Sequence, residues 1–553
     1  MASIFVSEAN SKSENPKAPR RSFKQLAMLV GLLPVIGLEL VLRWTGIGVD
    51  RHDPYAEFGG RAPVFVRDGE MFRTAKAREP FLARQAFAAV KPANGFRIFC
   101  FGGSTVHGRP YSVGSAFPQW LELELAGRDP DRAYEVVNAG GISYASFRIV
   151  PMVREVMAYE PDAIVLATGH NEFLEDRTYQ QAKRRGALSQ ILDSVRIVSA
   201  GRGLLRHRPV EGAEPDNTKF RTRLDEVNGY ASYKRDPKWH RQVMAQFRDS
   251  VSDIVRICEE HSVPLVLVQL GSNLRDCPPF KSAHRPDLSP GEEQDWQRYF
   301  EQGQELDLTD PMAALSAYQK AAALDEDFAL LSYRRAKAMD RGGDAANMLA
   351  AYQEAKDRDI CPLRMFGAHY WFFEDVARSD NVILVDAATS IRQRSPESVP
   401  GFDWYLDHVH PTIGGHQIIG RKILERMTEA GLVELDLEWS AEDRSKVFAA
   451  HFVELGDRYL RDGARRLEWL DGWARRAKLA DEVRPRVWSD HLRLGMRRMD
   501  FGANEAAAES FSMAIELEKV SAVERLEEHV ALLHEQGRVS ASAWLRNWLA
   551  ERL

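Results

Sequence analysis

Five short runs constrain this chain more than anything else in it: "RIFCFGG" from Arg97, "YEVVNAGG" from Tyr134, "AIVLATG" from Ala163, "PLVLVQLGSN" from Pro264 and "NVILVDAA" from Asn381. Each is apolar almost without a break. A strand with one wet face alternates apolar and polar residues, so unbroken runs belong to strands covered on both faces, as in a parallel sheet sandwiched by helices. The stretches between them supply the helices. In "WHRQVMAQFRDSVSDIVRICEEH", Val243, Phe247, Val251, Ile254 and Ile257 fall on one face just before a strand. The expected class is α/β, three layers, with a parallel sheet.

The first run ends in Gly102-Gly103-Ser104. A strand that stops in this way puts a hydroxyl at the carboxyl edge of the sheet, where open α/β folds bind ligands. Gly-Ser after a strand is also ordinary turn punctuation, so Ser104 needs partners before it reads as a nucleophile. Other strand ends offer them. "AIVLATG" runs into Gly169-His170-Asn171-Glu172, "YEVVNAG" into Gly140-Gly141-Ile142-Ser143, and the late segment "DWYLDHVHPTIGGHQIIG" places Asp407 and His410 three residues apart before a helix opening at Pro411-Thr412. A serine hydroxyl is a weak nucleophile until a histidine takes its proton, and a carboxylate on the other ring nitrogen fixes the tautomer. Taken singly, Asp407 reads as a turn residue, His410 as a surface histidine and Asn171 as a helix cap. Taken together, in order and at strand ends, they read as a catalytic set.

This ordered set resembles the SGNH, or GDSL-type, hydrolase superfamily. The strand followed by G-D-S corresponds to Gly102-Gly103-Ser104, with Gly103 in place of Asp. The glycine block corresponds to "NAGGISYAS", the G-x-N-D block to Gly169 through Glu172, and the D-x-x-H block to Asp407 through His410. The resemblance implies Ser104 as nucleophile, His410 as base, Asp407 as its orienter, and an oxyanion hole from Asn171 and backbone amides. An ungapped reading puts Ser143 where many members have an oxyanion glycine, with Gly141 two residues earlier. Together with the outward-facing anchor described below, such a serine enzyme fits an acyl ester of an envelope glycan or lipid as substrate, cleaved or transferred; no cofactor and no metal are expected. The resemblance covers about 96 to 290 and 362 to 435.

Other readings of the same residues are weaker. "GGSTVHG" lacks the lysine of a phosphate-binding loop, and Val106 stands where G-x-S-x-G needs its second glycine. His408, His410 and His416 with Asp407 form an alternative metal set. A hydrolase fold retained as a catalytically silent scaffold is the alternative from another functional class.

A repeat interrupts the α/β pattern. "DPMAALSAYQKA" from Asp310 and "DAANMLAAYQEA" from Asp344 match at a constant offset of 34, the tetratricopeptide period, and Leu494, Gly495, Ala507, Phe511 and Ala514 fall at the spacings of that motif. Tetratricopeptide-like helices are therefore expected at 291–361, inserted in the hydrolase region (96–290 and 362–435), and again within a helical region at 436–553. Such repeats bind a protein partner or brace a larger domain. Cys277 and Cys361 border the insertion, and a closed excursion would bring them within reach of a disulfide; Cys100, inside a strand, should be free and buried.

At the other end, "QLAMLVGLLPVIGLELVLRW" is apolar from Leu26 to Leu42 and follows Lys17, Arg20, Arg21 and Lys24. It predicts a cytoplasmic basic segment (1–25), a single-pass inner-membrane anchor (26–46), a linker (47–95), and the remaining chain facing the periplasm or exterior; a removable signal peptide is the alternative, but no A-x-A-like cleavage site follows the run. A net charge of -6 on 553 residues supplies no basic field, so nucleic acid is not an expected partner.

Overall fold

The computed structural model describes residues 63–175, 222–225, 229–435, 437–475 and 484–553. The expected anchor (26–46) lies outside the described residues. Among the described residues, no helix is long and apolar enough to cross a membrane.

The chain enters through a three-stranded antiparallel meander, β1 (Phe65–Asp68), β2 (Met71–Thr74) and β3 (Ala86–Ala88). This corrects the linker expectation for 47–95 over the part described. The strands are three or four residues long and the first two carry charges, so no alternation is legible in them. They order because Phe65 and Phe87 are buried, packing edge to face on each other at 5.1 Å, and Phe87 does the same on Phe99 of the main sheet at 5.2 Å.

The main sheet holds β4 (Gly95–Gly102), β5 (Ala133–Gly140), β6 (Ala163–Ala167), β7 (Leu265–Gln269) and β8 (Val382–Asp386). All are parallel, in the order β5-β4-β6-β7-β8. Ile98, Phe99, Cys100 and Phe101 on β4 are completely buried. Because neighbours along a strand point to opposite faces, such continuous burial means that helices cover both sides. Helices Phe117–Arg128 and Ile413–Glu429 pack together, as do Ser146–Val156 and Pro237–Glu260. The last of these buries Val243, Phe247, Val251, Ile254 and Ile257, the stripe expected from its period, and is capped by Asp236, which accepts from Lys238 N and Trp239 N. The strand order reverses between β4 and β6, and that reversal opens the crevice in which doubly wound sheets bind ligands.

Among the helices between β7 and β8, Pro290–Leu306, Pro311–Leu324, Ala329–Gly342 and Ala345–Asp357 form one array around Trp296, Phe300, Tyr318, Tyr333 and Tyr352. The offset of 34 superposes the second helix of each hairpin, so Tyr318 and Tyr352 fill equivalent buried places. Trp488–Asp500, Asn504–Leu517, Lys519–Glu535 and Val539–Ala550 form a second array with its own core. In both arrays a glycine admits an aromatic ring: a Cβ on Gly303 would meet Tyr318 at 2.3 Å, and one on Gly495 would meet Phe511 at 2.3 Å. The ends of the insertion do come together, but through Ile360 N to Lys281 O (3.0 Å) and the Asp359 carboxylate accepting from Phe280 N (2.6 Å) and Lys281 N (3.0 Å). Cys277 and Cys361 are free thiols, so the bridge raised by their positions is not formed; Cys100 and Cys258 are free and buried.

Candidate active site

Ser104 opens a single helical turn, Ser104–His107, immediately beyond the carboxyl end of β4. Its Oγ lies 2.8 Å from His410 Nε2, and His410 Nδ1 lies 2.6 Å from Asp407 Oδ2. Asp407 is held on its own loop, where Oδ1 accepts from Val409 N and His410 N, both at 2.9 Å. Burial alone would raise its pKa, but His410, His408 and these hydrogen bonds hold the carboxyl far below the usual range. The loop closes by Leu406 N to His410 O (2.8 Å), and Thr412 caps the helix that follows by accepting from Gly415 N (3.1 Å).

A second group of donors gathers around Gly103. Asn171, beyond β6, donates one Nδ2 hydrogen to Tyr144 O (3.1 Å), leaving its other amide hydrogen uncommitted. A Cβ on Gly103 would lie 2.4 Å from that Nδ2 and 3.4 Å from Tyr144 O. Gly103 is therefore bare because Asn171 lies directly over it, which gives a physical reason for glycine where the G-D-S pattern has aspartate.

The loop after β5 turns between Gly141 and Tyr144 (Tyr144 N to Gly141 O, 3.1 Å) with Ser143 at φ 61°, the left-handed conformation that glycine adopts most easily. So Ser143 keeps the backbone shape of a glycine without being one. The N–H groups of Ser104 and Ser143 have no acceptor among the described residues, whereas the Gly141 N–H is taken by Gly102 O at 2.9 Å. Gly141 is thereby corrected as a candidate oxyanion donor; its role is to dock the loop on the end of β4. Glu172 secures the arrangement from behind. Its carboxylate accepts from Ser146 N (2.9 Å) and Ser146 Oγ (2.8 Å), and burial pushes it up to about 7.

His408 packs edge-on against Phe280 and lies 3.5 Å from Asp407 Oδ1, held down to about 4 first of all by burial. His416 is fully buried in the following helix. Among the described residues no cluster of His, Cys, Asp and Glu is placed to hold a metal. A cavity of about 810 Å³ lies apart from the relay, lined by both helical arrays (Lys337, Met348, Trp488, Arg493) and by none of Ser104, Asp407 or His410.

Sequence reasoning did not foresee that the C-terminal helices grip both loops of the site. Tyr111 Oη donates to Asp500 O (2.7 Å), Tyr459 Oη donates to Ser112 O (2.7 Å) and Arg497 Nε donates to Leu406 O. None of these contacts follows a spacing that a sequence displays.

Fold and site together define a doubly wound α/β chain with a serine–histidine–aspartate relay at the switch point of its sheet. No family model matches the chain, and no curated protein matches its sequence. Among solved structures it is similar to a catalytic mutant of an acetylxylan esterase from Geobacillus stearothermophilus (12% identity, 61% of this chain and 96% of that chain, TM-score 0.27). It is also similar to an alpha/beta hydrolase from the metagenome of Lake Arreo, Spain (11% identity, 63% and 99%, TM-score 0.28).

Proposed function

We propose that this chain is a serine ester hydrolase or O-acyltransferase of the SGNH type, acting on an acyl ester of an envelope glycan or lipid. One observation carries the reading: the continuous relay Asp407–His410–Ser104, at 2.6 and 2.8 Å, with its carboxylate oriented by two backbone N–H groups. His410 Nε2 takes the Ser104 proton as Oγ attacks the acyl carbonyl. The oxyanion that forms is met by the N–H groups of Ser104 and Ser143 and the uncommitted amide hydrogen of Asn171, donors already in place before charge develops. His410 then returns the proton to the departing alcohol, and the acyl-serine passes its acyl group to water or to a sugar hydroxyl. Asp407 stays ionised throughout and stabilises the imidazolium.

In this reading residues 26–46 tether the protein to the inner membrane with the catalytic domain outside the cytoplasm. The two helical arrays are tetratricopeptide-like; they brace the site loops and offer a surface for a protein partner. The test is fluorophosphonate labelling of the full-length protein together with a screen of acetyl and longer acyl esters. Labelling at Ser104 with ester turnover is expected. A folded protein that never labels and turns over no ester is instead the silent scaffold.

A further inference from the structure

Two arginines flank the Ser104 turn without an acidic partner. Arg109 directly follows the turn, and its N–H donates to Ser104 O at 3.0 Å. Its side chain is half-buried, its Nε is buried with no acceptor, and it enters no ion pair among the described residues. Arg466, on helix Ala441–Arg475, reaches the same loop, where Nη1 donates to Pro110 O (2.8 Å) and to Tyr111 O. It too makes no ion pair among the described residues. The His107 ring of the same turn adds no charge, because burial and then Arg109, Arg466 and His410 hold it down to about 4.

Five buried arginines of the fold are each matched with an acid. Arg97 is paired with Glu135, Arg148 with Glu175, Arg334 with Asp307, Arg493 with Asp276 and Arg538 with Asp500. Two neighbouring guanidinium groups without a carboxylate in a partly dry site repel each other, and the buried Arg109 Nε lacks the acceptor it would have in water. Burial and Arg466 together press the Arg109 pKa downward, the signature of that cost. An anion removes it, and the planar guanidinium fork matches a carboxylate or phosphate through two parallel hydrogen bonds.

We propose that Arg109, assisted by Arg466, binds an anionic group of the ester substrate, so that the site selects acyl esters carrying a carboxylate or phosphate near the acylated oxygen. The inference rests on the serine esterase reading and narrows its substrate class. Its test compares kcat/KM of the full-length protein on acetylated uronate oligosaccharides, phosphatidylglycerol vesicles and acetylated neutral xylo-oligosaccharides. The first two arms tell a glycan carboxylate from a lipid phosphate. Loss of a charge-assisted hydrogen bond corresponds to roughly 10- to 100-fold, so the wild type should prefer one anionic arm over the neutral one by about that factor. Arg109→Gln should collapse the ratio toward one, and Arg109→Lys should keep part of it. A second readout needs no turnover: inorganic phosphate at constant ionic strength should raise the unfolding temperature of the wild type and not that of Arg109→Gln. An unchanged selectivity ratio in a folded Arg109→Gln protein, or equal stabilisation of both proteins by phosphate, overturns the proposal. Absence of fluorophosphonate labelling with phosphate stabilisation intact would instead remove the esterase reading and leave the anion site standing.

Discussion

His410 Nε2 lies 2.8 Å from Ser104 Oγ although the two are 306 positions apart in sequence, and the same ring is held by Asp407 Oδ2 at 2.6 Å on its other side. Ser104→Ala removes the attacking atom and little packing, since Ser104 is the half-buried residue of its turn. The variant should fold with an unchanged unfolding temperature while losing fluorophosphonate labelling and ester turnover. Full turnover of an ester that the wild type cleaves would refute the nucleophile assignment.

Asp407→Asn keeps the shape of the loop but offers His410 Nδ1 an amide in place of an anion, favouring the wrong tautomer. A loss on the order of 10⁴-fold in kcat is expected. Because its neighbours hold Asp407 far below the usual carboxyl range, any fall in activity between pH 5 and 7 should survive unchanged in midpoint when His408 is replaced by alanine.

Gly103 and Asn171 form a coupled pair. Asn171→Ala deletes one oxyanion donor, which typically costs about 10²- to 10³-fold in turnover. Gly103→Ala puts a methyl where Asn171 Nδ2 now lies and should give a loss of similar size. The double variant should be scarcely worse than either alone, because both act on one donor; additive losses in steady-state kinetics would show that Gly103 acts by another route.

Glu172 predicts a pH dependence of stability. Its folded pKa, raised by burial to about 7, stands above the ordinary carboxyl value, so the native state holds this proton more tightly than the unfolded chain does. Its contribution is fully present below the unfolded value near 4.5 and is lost as pH rises through about 7. Glu172→Gln, which imitates the protonated form, should flatten the fall in unfolding temperature between pH 5 and 8. An identical fall in both proteins would mean that Glu172 does not titrate in that range.

Arg493 ties the C-terminal array to the α/β domain by a buried two-pronged pair with Asp276 (2.8 and 3.0 Å), and it also bonds Asp490 at 2.8 Å. Arg493→Met leaves the buried Asp276 carboxylate only Lys337 at 3.8 Å as a charged partner and should destabilise the protein by about 3 kcal/mol, measured by denaturant unfolding. Since the same array holds Leu406 through Arg497, ester turnover should fall with it.

Strand identity in the main sheet was legible because unbroken burial writes itself into composition: a residue such as Phe99, covered whichever way it points, has to be apolar. The repeat offset was legible for a related reason, since Tyr318 and Tyr352 answer to the same local packing geometry. Ser104 and Asn171 could be named from the strand ends they follow, and Asp407 and His410 from their spacing just before a helix. The charged, short strands of the meander left no such trace.

What the sequence by itself determined was which segments must be covered and which residues stand at their ends, because periodicity and apolarity are properties of neighbours along the chain. Tertiary structure alone decided the strand order, the 2.8 Å approach of His410 to Ser104, the glycine-like backbone of Ser143, the loss of Gly141 as a donor and the unpaired state of Arg109 and Arg466 among the described residues. Those depend on distances between segments far apart in sequence, set by how the connections wrap the sheet, and no local pattern encodes them.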